Sequence, residues 1–215
     1  MGIEKSTSKK KFLIFVSLNV LLVCVDYILT YIGTPDLSLE ANPLVSVFGL
    51  GWRALLINAT IFVFLHAVAA YLAFVRFRRS IITCNGFKEY ISILYFNRSD
   101  KFRQTFYRFP NNKVGWRYTV AFLGTFVTII YPLFTLLAIV GWIGTISGYY
   151  QFYVLYEFLL RPIFWGTTFE LFILFITFVV IATFAMYLWY YKEYKINKKE
   201  LTRVSENTHQ QNATS

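Results

Sequence analysis

Four long hydrophobic stretches follow one another along the chain, and each is continuously apolar rather than alternating. Three windows, 54–75, 118–156 and 171–191, contain no Asp, Glu, Lys or Arg, and the first stretch, 12–33, contains only Asp26. A helix needs about 20 apolar residues to cross the roughly 30 Å hydrocarbon core of a membrane. Continuous apolar runs favour helices over the alternating strands of a membrane barrel. The pattern therefore predicts an all-α, four-helix membrane bundle with spans over 12–33, 52–75, 118–147 and 168–191.

The end of the third stretch is the one ambiguous boundary. Pro132 is expected to kink the helix without ending it, whereas Gly141, Gly144 and Gly148 predict its end. The residues that follow, up to 163, are rich in Tyr, Phe and Trp, which prefer the membrane–water interface. We expect an interfacial aromatic helix there, with a re-entrant segment or a fifth span as the alternatives.

Basic residues lie almost entirely in three segments, 1–11, 76–117 and 192–215. With four spans, these segments share one side of the membrane and hold 19 of the 21 Lys and Arg residues. The positive-inside rule makes that side the cytoplasm. We therefore predict a multi-pass protein of the cell membrane with both termini cytoplasmic. Its parts are a basic N-terminus (1–11), a four-span domain (12–191) and a basic, then polar and disordered, tail (192–215).

The composition supports a membrane protein and removes the need for a nucleic-acid partner. Hydrophobic residues make up 57% of the chain and charged residues 15%, which is too apolar for a soluble surface. The cytoplasmic segments account for the net charge of +10. Segment 76–117 interleaves basic with aromatic residues, and spans hold both of its ends. We expect it to face anionic lipid headgroups rather than nucleic acid.

Motifs of soluble enzymes and of metal sites do not occur in the sequence. It has no His-Glu-x-x-His, Gly-x-Ser-x-Gly or Cys-x-x-Cys segment and no glycine-rich phosphate loop. We therefore predict neither a metal nor a cofactor. The candidate chemistry lies in polar residues inside the spans, which are costly in hydrocarbon. These residues are Asp26 and Thr30 on one face of the first span, Asn58 in the second and, with a weaker claim, His66.

The segment SLEANPLVSVFG, residues 38–49, predicts a short helix between the first two spans. Asn42 suits the N-cap and Pro43 the first helical position, while Gly49 suits the exit. This helix either caps the outer end of the first span or forms a re-entrant segment. Glu40 lies just before its start, where the helix dipole favours a carboxylate.

Two short motifs carry a family resemblance. The arrangement of DYILT (26–30), a nine-residue gap and EANPL (40–44) resembles a family of small, uncharacterised polytopic membrane proteins of prokaryotes, a domain of unknown function. The resemblance implies that Asp26, Thr30, Glu40, Asn42 and Pro43 are the family's polar positions. It implies no activity, because the family has none assigned.

Asp26 and Glu40 are expected to share one site that opens toward the outer face. The connection between them, 34–41, spans at most about 28 Å when extended, so it can fold Glu40 back over the end of the first span. Such a site predicts a non-enzymatic protein that binds or passes a small cation, a proton or a lipid headgroup, or that scaffolds a membrane complex. The alternative is an intramembrane enzyme with Asp26 and Glu40 as acid and base. A pore would need a second copy or another membrane partner, because four spans are narrow.

Overall fold

A computed structural model describes residues 5–40, 43–46, 48–149, 154 and 168–213. Every regular element in these ranges is helical, as predicted. A π-helical turn, Tyr71–Arg76, continues the third helix, and a 3-10 helix, Phe102–Phe106, follows the fourth. The α-helices are α1 (Lys5–Gly33), α2 (Pro43–Ser46), α3 (Trp52–Ala70), α4 (Phe87–Phe96), α5 (Lys113–Ser147) and α6 (Thr168–Ala213).

Three helices in the described ranges are long and apolar enough to cross a membrane. They are Lys9–Gly33, Trp52–Arg76 and Lys113–Ser147. These helices contain the first three predicted spans. The fourth predicted span begins where α6 begins, but the side chains of 168–175 lie outside the described part. The fourth crossing therefore stays a prediction, and so does the four-helix bundle.

The third span ends as its glycines predict. Helix α5 continues through Pro132 and ends at Ser147. Gly148 follows with a φ of +71°, a left-handed conformation that glycine adopts without steric cost. The interfacial helix predicted after this point lies outside the described residues, which include only 154 between 150 and 167.

The predicted disordered tail is wrong, because α6 continues to Ala213. Residues 192–213 contain no Gly or Pro and are rich in Lys, Glu, Asn and Gln, so nothing in the sequence stops the helix. A Glu200 carboxylate oxygen lies 3.3 Å from the Arg203 guanidinium, three residues on along the same helix face. Polarity alone therefore did not indicate disorder here.

The chain divides into two compact units. The helical unit comprises Met1–Arg76 and Leu123–Phe178, and the loop unit comprises Phe77–Phe122 and Val179–Ser215. In the helical unit, α1 and α3 run antiparallel and are joined by aromatic pairs at both ends. The pairs are Phe15 with Phe74 (ring centroids 5.4 Å apart) and Tyr31 with Trp52 (5.7 Å).

Close contact between α3 and α5 depends on a glycine. A Cβ atom on Gly124 would lie 2.6 Å from the Ala69 carbonyl oxygen and 3.2 Å from the Ala73 Cβ. Any larger residue would push the two backbones apart. Small residues at a helix interface provide this close approach in membrane proteins, where packing and hydrogen bonds hold helices together.

The loop unit is a folded core rather than a surface segment. Its buried residues include Tyr90, Leu94 and Tyr95 of the predicted loop, packed with Tyr118 and Tyr190. The hydroxyl oxygens of Tyr95 and Tyr190 lie 2.9 Å apart. Aromatic residues that alternate with bases in the sequence thus form part of this core, and the contact of the segment with anionic headgroups stays a prediction.

Polar contacts fasten the start of the 76–117 segment to α6 within the loop unit. The Arg79 guanidinium donates to both carboxylate oxygens of Glu193, at 2.7 and 3.1 Å. The Asn197 side chain accepts a hydrogen bond from the Ile82 N–H at 2.7 Å and donates one to the Ile82 carbonyl at 2.8 Å. A bidentate ion pair and a two-way amide contact both restrict orientation.

Candidate functional site

The connection after α1 folds into two successive turns around Asp36. One Asp36 carboxylate oxygen accepts hydrogen bonds from the Ser38 N–H (3.1 Å), the Ser38 hydroxyl (2.9 Å) and the Thr34 hydroxyl (3.1 Å). These bonds, led by the one from the Ser38 backbone, lower the pKa of Asp36 below its ordinary value. The Trp52 indole donates to the Pro35 carbonyl at 2.9 Å and ties the connection to the start of α3. The path that leads to Glu40 is therefore fixed.

The short helix predicted after this connection is present as α2. It begins at Pro43, as predicted, and lasts only four residues. Gly49 follows with a φ of +65°, which confirms its expected role in ending this segment. Asn42, the predicted N-cap, lies outside the described residues.

Asp26 is half-buried on α1, and its carboxyl group is poorly satisfied. Its Oδ1 atom is buried without a hydrogen-bond partner among the described residues. Thr30 donates its hydroxyl to the Asp26 backbone carbonyl at 2.9 Å, so Thr30 serves the helix rather than the carboxyl group. The Asn58 side chain makes no hydrogen bond within the described part of the chain either. Neither Thr30 nor Asn58 therefore hydrogen-bonds to the buried Asp26 oxygen within the described part of the chain.

Glu40 acts on Asp26 electrostatically, since the two negative charges repel each other. Two tyrosines also interact electrostatically with these acids. Tyr27 interacts with Asp26, Glu40 and Tyr131, and Tyr131 interacts with Asp26. The Tyr27 hydroxyl donates to the Leu55 carbonyl at 2.7 Å and so joins α1 to α3. Asp26 and Glu40, called the acidic pair below, thus interact electrostatically with each other and with these two phenols.

Neither tyrosine was among the residues predicted from the sequence. Tyr27 follows Asp26 directly, and a tyrosine beside an acid inside a predicted span could have indicated a further member of the site. Tyr131 lies on α5, about 100 residues from Asp26, and nothing in the local sequence indicates that the two meet. Its ring stacks on Phe62 of α3, with centroids 5.8 Å apart and an interplanar angle of 9°.

His66 has a contact that Pro132 explains. The His66 Nε2 atom lies 3.2 Å from the Thr128 carbonyl oxygen on α5. A helical carbonyl normally accepts the N–H four residues later, but for Thr128 that residue is Pro132, which has no N–H. His66 therefore supplies the missing donor from α3. This hydrogen bond gives His66 a role in packing α3 against α5, although its Nδ1 atom is buried without a partner among the described residues.

The chemistry of the acidic pair suits small positive ions. Carboxylate and phenol oxygens are ligands for hard cations, and a carboxylate also takes up a proton. No cluster of three or more His, Cys, Asp or Glu residues occurs in the described ranges. Comparisons with family models, with curated proteins and with solved structures found no match to this chain. The family resemblance of the two motifs therefore stays a prediction, and the site has to be interpreted from its own geometry.

Proposed function

We propose that the chain is a non-enzymatic, multi-pass membrane protein that binds a small cation or a proton at the Asp26 carboxyl group. One observation carries the proposal: Asp26 lies in an apolar, span-length helix and has a buried oxygen without a hydrogen-bond partner among the described residues. An ionised carboxylate in such a place is costly unless positive charge joins it. Either a cation or a proton removes that cost.

Glu40 makes the same requirement stronger. Two ionised carboxyl groups that repel each other favour a shared proton or a cation between them. The turns around Asp36 and the Trp52 contact hold the connection that carries Glu40. The second carboxyl group is therefore a built part of the site rather than a mobile neighbour.

The orientation that fits this proposal places the acidic pair toward the outer face of the cell membrane. The support is the distribution of basic residues, 19 of 21 in segments that a four-span topology puts on one side. Asp26 lies seven residues before the end of α1, about 10 Å along the helix. Ions would thus reach it from outside without crossing the whole bilayer.

Exposed aromatic side chains of the loop unit support a contact with anionic headgroups. They include Tyr107, Phe109 and Trp116, of which Phe109 is 78% exposed. Phe109 stacks on Trp116, which lies in the first turn of α5. Aromatic rings beside Arg108 and Lys113 are typical of the interface, where each base contributes about 1 kcal/mol toward anionic lipid.

Cation-dependent thermal stability tests the proposed function. The full chain in detergent is heated with and without Na⁺, K⁺ or Ca²⁺ at several pH values. A ligand that binds only the folded state at 100 times its dissociation constant stabilises by about 2.7 kcal/mol, or about 5 to 10 °C for a chain of this size. We expect such a shift for the unmodified protein with at least one cation or on acidification, and not for Asp26→Asn.

Asp100→Asn is the control, since Asp100 is an exposed acid of the loop unit and belongs neither to the acidic pair nor to the connection that carries Glu40. It should keep the full response to the ligand. A melting temperature that responds neither to cations nor to acidification, or that responds equally in Asp26→Asn, would refute the proposed function.

A further inference from the structure

Two buried polar side chains of the helical unit lack partners deep within the apolar helices. Asn19 of α1 is 0% exposed, and both its amide nitrogen and its amide oxygen are without hydrogen bonds in the described part of the chain. His66 of α3 is 1% exposed, and its Nδ1 atom is likewise unpaired there. Burying a polar atom without a hydrogen-bond partner is costly, so the occurrence of such atoms on two helices indicates a ligand.

The helix register puts these two residues at one level. Tyr31 of α1 lies beside Trp52 of α3, with ring centroids 5.7 Å apart. From these positions, twelve residues lead back to Asn19 and fourteen lead on to His66 along the antiparallel partner. At 1.5 Å per residue, the two levels differ by only about 3 Å.

The chemistry of the unpaired atoms matches water. The Thr128 carbonyl can only accept, so the His66 Nε2 atom carries the hydrogen and the neutral ring presents an Nδ1 lone pair. Asn19 offers two amide hydrogens and a carbonyl oxygen. Bound water typically makes about three hydrogen bonds to otherwise unsatisfied buried groups, and it both donates and accepts.

Tyr131 connects this level with Asp26. Its ring lies 5.8 Å from the His66 ring, and its hydroxyl group interacts electrostatically with Asp26. Asp26 itself lies seven residues from Asn19 on α1, about 10 Å along the helix. A phenol hydroxyl group, which donates and accepts, thus stands on the way from the acid to the histidine.

We propose that Asn19 and His66 hold bound water, and that this water, with the Tyr131 hydroxyl, carries protons between Asp26 and His66. A proton leaves the Asp26 carboxyl group, which becomes a carboxylate. Each hydroxyl group along the path accepts one proton and releases another, and the last proton joins His66 Nδ1 to give an imidazolium. The reverse sequence returns it. This inference rests on the proposed function, because it needs Asp26 to take up a proton.

Infrared spectroscopy of the full chain in lipid vesicles tests the relay. In cation-free buffer at low pH, the carbonyl stretch of a protonated Asp26 is identified as the band lost in Asp26→Asn, and the ring band of a protonated His66 as the band lost in His66→Gln. After a rapid drop in pH, the growth of the His66 band reports how fast a proton that enters at Asp26 reaches the histidine. Asn19→Leu fills the water site with apolar atoms, and Asn19→Ser leaves room for water.

We expect Asn19→Leu to slow protonation of His66 by about tenfold or more, because the proton loses its hydrogen-bonded path. His66 should be protonated as fast in Asn19→Ser as in the unmodified protein, and so should it be in Thr60→Val, an exposed position of α3. If Asn19→Leu does not fold, Tyr131→Phe replaces it. Phenylalanine keeps the ring that stacks on Phe62 but has no hydroxyl group to pass the proton, and it too should slow protonation of His66.

The outcomes separate this inference from the proposed function. Protonation of His66 that is equally fast in Asn19→Leu or Tyr131→Phe, or the absence of a His66 band, overturns the relay and leaves the proton site at Asp26 intact. The absence of an Asp26 band overturns the relay as well. The proposed function then survives only if added cations still raise the melting temperature through Asp26.

Discussion

Asp36 is the residue that shapes the connection between the first two long helices. Three donors from Thr34 and Ser38 converge on one of its carboxylate oxygens. Two neighbouring hydroxyl groups and a backbone N–H thereby replace water around an exposed charge. This local motif sets the direction of the chain that leads to Glu40. The exposed Asp36 therefore contributes to the position of the Glu40 carboxyl group.

Asp36→Asn should lower the melting temperature at neutral pH, because the amide is a weaker acceptor for the same donors. The pKa of Asp36 is lowered in the folded state, so its contribution is complete above the unfolded value near pH 4 and is lost as pH falls through the folded value. The difference between the two proteins should therefore shrink on acidification. Melting curves from pH 7 to pH 2 measure it, with Asp100→Asn as a control, and a pH-independent difference would contradict this account.

Individual polar residues were predictable from the sequence, but their partners were not. Asp26 and His66 are conspicuous because charge and imidazole are rare in apolar runs. Thr30 was predicted on the same helix face as Asp26, yet its hydroxyl group bonds to the Asp26 backbone carbonyl and not to the carboxyl group. Tyr131 could not be found because its meeting with Asp26 depends on how α5 packs, which no local pattern encodes.

At the scale of elements, a hydrogen bond from a side chain of α3 to a backbone carbonyl of α5 joins the two helices. Pro132 has no N–H, so the Thr128 carbonyl lacks its usual helical donor, and His66 of α3 donates a hydrogen bond to it instead. One turn away, Gly124 brings the two backbones together at Ala69. Pro132 of α5 and His66 of α3 thus act together, because the hydrogen bond that His66 donates replaces the one that Pro132 removes.

This device predicts a coupling between Pro132 and His66. Restoring an N–H with Pro132→Ala gives Thr128 its helical donor and makes the His66 bond less important. His66→Leu should then cost less in the Pro132→Ala background than alone, by about 0.6 to 1.7 kcal/mol, the range for hydrogen bonds between membrane helices. Unfolding in detergent of the four proteins gives the coupling energy. Strictly additive effects would show that the two residues act independently.

The long apolar helices were the most predictable elements and the loop unit the least. Continuous hydrophobicity and the glycine after Ser147 determine the spans locally. The 76–117 segment has mixed composition, and its aromatic residues become core only because α6 supplies Tyr190, Glu193 and Asn197 for them to contact. Such long-range contacts are invisible in a window of sequence, so a folded unit was mistaken for a surface segment.

At the scale of the whole molecule, the charge distribution predicts the topology. A reporter that is active only outside the cytoplasm can be fused after residues 45, 100, 165 or 215. Four spans with both termini inside require activity at 45 and 165 and none at 100 or 215. Activity at 215 alone of the last two positions would indicate a fifth crossing, and activity at 100 would reverse the first half of the protein.

The proposed function depends most on Asp26 and Glu40 sharing one charged site. In cation-free buffer at neutral pH, Glu40→Gln removes a repulsion only while Asp26 is ionised. The substitution should therefore be more favourable in the unmodified protein than in the Asp26→Asn background, by about 0.5 to 3 kcal/mol, the range for residues in contact. Pairing Asp26→Asn with Asp100→Asn of the loop unit should give additive effects.

A double-mutant cycle of unfolding free energies for Asp26→Asn and Glu40→Gln is the direct measurement. We predict that the coupling energy is largest at a pH where both groups are ionised and disappears on acidification, as the groups take up protons. With a cation bound between the two carboxylates, the coupling energy should change sign, because each carboxylate then stabilises the bound cation. Additive effects at every pH, with and without cations, would contradict the shared site.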